Sequence, residues 1–131
     1  MATVPMITDE EASAEVRAVF DDIRKTRNTN FINNFWRGLA NDPKQMKAVW
    51  EEIKAVMGPG TLDPLTKEMI YIAVSAANAC SYCIHSHTAA AKAKGMSAEQ
   101  HGELMRVIAL AGKTNHAVNA MQLEVDEAFK V

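Results

Sequence analysis

The stretch DPLTKEMIYIAVSAANACSYCIHSH, residues 63–87, decides how this chain is read. It opens on Asp63-Pro64, an N-cap residue followed by proline at the first helical position. Residues 69–77 are then apolar on all sides of a helix, the pattern of a central buried helix. No Asp, Glu, Lys or Arg occurs anywhere in residues 69–91. A membrane span is excluded by content, because Asn78, Ser81, His85, Ser86 and His87 would be stranded in hydrocarbon. The stretch is read as protein interior, with a further helix beginning near Cys80 or Ser81 and stopping at Gly95.

Outward from it the chain stays helical. No run alternates apolar and polar residues with β-branched enrichment, and no Asn-Gly or Asp-Gly hairpin signal occurs. Towards the N-terminus, Asn41-Asp42-Pro43 starts a third helix that should reach about Met57. A short second helix carries Phe31, Phe35, Trp36 and Leu39. A first helix is expected over residues 8–27, opened by a Thr8/Glu11 capping box and carrying Val16, Val19, Phe20 and Ile23 as its apolar stripe. Towards the C-terminus, Ser97 and Gln100 form a capping box for a sixth helix that should stop near Gly112. A last helix is expected over residues 115–130. The fold class is therefore all-α, six to seven helices in one domain spanning residues 1–131.

Composition agrees. The chain has 131 residues, 48% of them hydrophobic and 23% charged, which suits one globular domain and excludes disorder. A net charge of −2 argues against nucleic acid as a partner. The N-terminal MATVPMITDEEA lacks the basic and apolar regions of a secretory signal, so the expected location is the cytoplasm. Two cysteines three positions apart are too few and too close for a disulfide framework.

Those cysteines carry the chemistry. A C-x-x-C at a helix start lets two sulfurs meet within one turn, where the positive helix end favours thiolate. The pair Cys80/Cys83 can then cycle between dithiol and disulfide. His87 lies four residues after Cys83, on the same helix face, whereas His85 points away. The helix dipole favours Cys80 as nucleophile and the His87 spacing favours Cys83, and we take the base at i+4 as the more specific feature. Glu68 can join them only if the chain bends near residues 78–81, since in one straight helix it would lie about 18 Å from Cys80. Beside a thiol and an imidazole, a carboxylate accepts or relays a proton.

The order Glu68, Cys80-x-x-Cys83, His87, with the lead-in Leu62-Asp63-Pro64-Leu65-Thr66-Lys67-Glu68, resembles the AhpD-like alkylhydroperoxidases of the carboxymuconolactone decarboxylase family. The segment NFWRGLANDP, residues 34–43, is similar to the helix pair before this core in many members, and the resemblance covers about residues 30–113. It implies an AhpD-like helical fold, with the C-x-x-C at the N-terminus of a central helix, assembled as a trimer or hexamer. It implies a peroxiredoxin-like antioxidant enzyme that reduces hydroperoxides, with Cys83 peroxidatic, Cys80 resolving, and Glu68 and His87 relaying protons. A lipoyl or thioredoxin-like dithiol protein would be the reductant, and no cofactor or metal is implied. One departure is Tyr82, where some members have a second histidine before the second cysteine. A phenol does not exchange protons at neutral pH as imidazole does. Either that histidine is dispensable or the substrate has shifted.

Other readings stand beside this one. The pair could serve a thiol–disulfide reductase or redox sensor without peroxide turnover. A carboxymuconolactone decarboxylase-type activity is disfavoured, because those members are not known for this cysteine pair. A non-enzymatic assembly or metal-binding module is the third, although His101 and His116 lack the spacing of a zinc site and Ile84 stands where haem attachment needs histidine. The eight methionines fall on helix faces as core or subunit contacts, and Phe31, Phe35, Trp36 and Met121 are candidates for a subunit surface.

Overall fold

The proline-marked helix starts lie where local chemistry puts them. In the computed structural model, which describes residues 1–131, Asp42 accepts the Gln45 N–H at 3.1 Å and Pro43 begins α3 (Pro43–Met57). Asp63 accepts the Thr66 N–H at 3.0 Å and Pro64 begins α4 (Pro64–Ala77). The remaining elements are α1 (Ala14–Arg27), α2 (Asn34–Leu39), α5 (Ser81–Ala93), α6 (Ala98–Met121) and a 3-10 turn (Glu127–Phe129). There is no strand. The chain forms two compact units, Met1–Gly58 and Pro59–Val131.

In the first unit α1 buries Val16, Val19, Phe20 and Ile23, one stripe of an amphipathic helix, and packs against α3. Trp36 and Trp50 meet edge to face, centroids 5.5 Å apart, beside Met46. Trp36 is therefore core, 1% exposed, and the expectation of a subunit contact there is corrected; Phe31, Phe35 and Met121 are exposed. The start of α1 is also corrected. Thr8 and Glu11 do bond reciprocally, at 3.0 and 3.3 Å, but they close an isolated turn. The helix begins only after Ser13, whose hydroxyl accepts the Val16 N–H. The reason is tertiary. The Ile7 carbonyl accepts from Arg37, the Ile7 N–H donates to the Arg37 carbonyl, and Asp9 pairs with Arg24 and Arg37. These bonds tie the leading segment to α1 and α2 instead of extending the helix.

In the second unit α4 and α5 run antiparallel. Ala79 adopts φ +54°, and the Cys80 N–H reaches the Ser75 carbonyl at 2.9 Å, which reverses the chain. α5 and α6 pack against one side of α4, burying Glu68, Ile72 and Ser75 at helical i, i+4, i+7 spacing. The expectation that residues 69–77 are buried all round fails, because Ile70 and Val74 face outward. Gly95 turns the chain at φ +95°, and Ser97 with Gln100 completes the expected capping box of α6.

Gly112 does not end α6, which continues to Met121, and no separate helix fills residues 115–130. A lone glycine costs a helix about 1 kcal/mol, which its helix-forming neighbours absorb. Thr114, two residues on, donates its hydroxyl back to the Ala111 carbonyl at 3.2 Å within the continuing helix. No residue of α6 is buried, although Met105, Val107, Leu110, Val118 and Met121 lie along it. No helix is long and apolar enough to cross a membrane.

Candidate functional site

Cys80 is the N-cap of α5, and its sulfur accepts the Cys83 N–H at 3.3 Å, the place a serine or aspartate oxygen takes in other caps. Cys83 stands in the first turn, so both sulfurs sit at the positive end of the helix. They are joined as a disulfide across a Cα–Cα distance of 5.3 Å. The reversal at Ala79 leaves Cys80 as the last non-helical residue before α5.

The bend that the sequence required of residues 78–81 is present, and it returns α5 along α4 as far as Glu68. Glu68 is 5% exposed, and both carboxylate oxygens are engaged. Oε2 lies 2.7 Å from His87 Nδ1, and Oε1 accepts from Lys94 Nζ at 3.0 Å. Burial pushes the Glu68 carboxyl up; the hydrogen bonds from His87 and Lys94, with the Lys94 charge, outweigh burial and hold it below its ordinary value. The His87 ring is stacked on Tyr71, centroids 3.6 Å apart and planes 19° from parallel.

Of the four residues singled out in the sequence, Cys80 and Cys83 form one cluster and Glu68 and His87 a second. One turn of α5 links them, from Cys83 to His87. His85 is exposed, as its position two residues past Cys83 implies. No three His, Cys, Asp or Glu side chains gather where they could hold a metal ion. Tyr82 is 46% exposed beside the disulfide.

Two members of the site were missed. They are Lys94, bonded to Glu68, and Tyr71, stacked on His87, neither of which belongs to the sequence motif. A signal existed for both. Lys94 is seven residues after His87 and Tyr71 three after Glu68, so each shares a helix face with one member of the pair and contacts the other from the neighbouring helix.

A crystal structure described as the alkylhydroperoxidase AhpD core from Rhodospirillum rubrum is similar to this chain at 63% identity. The match covers 100% of this chain and 98% of that one, with a TM-score of 0.97, so the fold is AhpD-like. No individually curated protein gives a significant match. The pattern of the carboxymuconolactone decarboxylase family matches residues 43–124, more than half the sequence, and the chain belongs to that family.

Proposed function

We propose that this protein is a thiol-dependent peroxidase that reduces hydroperoxides through Cys83 and Cys80. The observation that carries the reading is the cysteine pair closed at the N-terminus of α5, one turn before a histidine anchored by a buried carboxylate. Likeness to a protein described as an alkylhydroperoxidase core supports it.

In the reduced protein Glu68 receives the His87 Nδ1 proton in a hydrogen bond, which leaves Nε2 as the nitrogen that takes the Cys83 thiol proton. The thiolate attacks the terminal peroxide oxygen. An S–O bond forms, the O–O bond breaks, and the leaving alkoxide takes the proton back from His87 as alcohol. Cys83 is now sulfenic acid. The Cys80 sulfur attacks the Cys83 sulfur; the S–S bond forms and the hydroxyl departs with the Cys80 proton as water. An external dithiol, such as a lipoyl or thioredoxin-like protein, then reduces the disulfide and becomes a disulfide itself. The net reaction converts hydroperoxide and dithiol into alcohol, water and oxidised dithiol. Such a cycle needs a reducing compartment, and we assign the cytoplasm.

We also assign a homo-oligomer, trimer or hexamer. The exposed apolar side chains along α6, with Ile70 and Val74 of α4, support this assignment.

The closed disulfide also favours a second reading, thiol–disulfide exchange without peroxide. Stopped-flow kinetics of the reduced protein with an alkyl hydroperoxide separates the two. The expected result is fast oxidation to the Cys80–Cys83 disulfide, reduced to background in Cys83→Ser. Equal slow rates in Cys83→Ser and the wild type would remove the peroxidase and leave the exchange reaction.

A further inference from the structure

We propose that Lys94 is a positioning residue for His87, neutralising Glu68 so that the imidazole remains uncharged, with its proton on Nδ1 and Nε2 bare. The inference rests on the reading of His87 as the base for Cys83, and it concerns what keeps that base usable.

Glu68 is almost wholly buried and has a partner on each oxygen. A buried carboxylate needs a compensating cation. Were His87 its only partner, the ring would supply that charge as imidazolium, with protons on both nitrogens and no lone pair for a thiol. Lys94 supplies the charge instead. Its side chain is 40% exposed, so the ammonium keeps part of its hydration while touching Oε1. One positive and one negative charge then balance without the imidazole.

The backbone fixes Lys94 for this task. It caps α5, its N–H bonding to the Ala90 and Ala91 carbonyls, and the next turn is closed by the Met96 N–H on Ala91 at 3.0 Å. Tyr71, flat against the imidazole, holds the plane of the ring.

The other charged groups nearby do not substitute. On α4 the Lys67 ammonium lies beside Gly60, and on α5 Lys92 is exposed and makes no ion pair with Glu68. From α6, neither His101, Glu103 nor Arg106 bonds to Glu68, His87 or Lys94.

The test is the ¹⁵N spectrum of His87 in the reduced full-length protein, taken without peroxide. In the wild type at pH 7, Nε2 should resonate as a bare nitrogen and Nδ1 as a protonated one. In Lys94→Gln the imidazolium fraction at pH 7 should rise several-fold, and Lys94→Arg should restore the wild-type spectrum. Circular dichroism confirms that each variant is folded. An unchanged His87 spectrum in folded Lys94→Gln would overturn the proposal and reduce Lys94 to a surface ion pair. The spectrum requires no turnover, so a failure here is distinct from a failure of the peroxide kinetics.

Discussion

The two units bury different things. Residues Met1–Gly58 enclose Phe20, Ile23, Trp36, Met46 and Trp50 and keep their charges at the rim, where Asp22 holds the Trp50 indole N–H at 2.7 Å and the Lys54 ammonium at 2.6 Å. Residues Pro59–Val131 bury only Ile72, Ala91 and Met96 among apolar side chains, and beside them Glu68 and Ser75. The first unit is held by apolar burial. The second places a carboxylate in its interior, compensated by His87 and Lys94. The candidate site sits where the apolar core is thinnest.

Three substitutions sharpen or break that contrast. Trp50→Ala should have the largest effect, a loss of about 3–5 kcal/mol from a cavity in the aromatic cluster, read as a lowered midpoint in urea unfolding. Below that midpoint the Cys80–Cys83 disulfide should still form on mild oxidation, checked by mass spectrometry. If disulfide formation is lost as well, the division of labour between the units is wrong.

Glu68→Gln should cost about 1–3 kcal/mol at neutral pH, because the buried site loses a charge-assisted acceptor. Its pH dependence has a definite sign. The folded-state pKa of Glu68 is lowered, so its contribution is complete above the unfolded value of about 4.3 and is lost as pH falls through the lower folded value. The stability gap between wild type and Glu68→Gln should therefore narrow as the pH falls below that unfolded value. A gap that is constant with pH would show that Glu68 stabilises by packing alone. Asp9 and Asp22, held low by hydrogen bonds from Arg24 and Arg37 and from Lys54 and Trp50, lose their contributions in acid in both proteins and cancel in that comparison.

Gly112→Ala should have the smallest effect, a gain of about 0.5–1 kcal/mol, since a methyl there meets nothing within 4 Å in the chain. A thermal melt that falls instead would mean that a second copy covers α6 closely at this point.

Particular residues mark what was legible in the sequence. Asp42-Pro43, Asp63-Pro64 and the Ser97/Gln100 box each act within one turn, and the helices start where they indicate. The Thr8/Glu11 box also forms, yet α1 does not start there, because Arg24 and Arg37 draw the segment elsewhere. Gly112 misleads for the opposite reason, since a weak local preference yields to a long helix. Trp36 stands in the sequence with Phe31, Phe35 and Met121 as a candidate subunit contact and becomes core only once α3 brings Trp50 against it. Lys94 and Tyr71 share helix faces with His87 and Glu68, but nothing in one helix says that the two faces will meet.

The sequence alone determined the all-helical class, the helix starts set by capping side chains, and the two sulfurs within one turn at a helix N-terminus. These depend on neighbours three or four residues apart, whose geometry the backbone fixes. Only the tertiary structure decided how Glu68 is shared. The reversal at Ala79, a positive φ in a residue with no local signal for it, lays α5 back along α4. That return gives one carboxylate oxygen to His87 and the other to Lys94, 19 and 26 residues away.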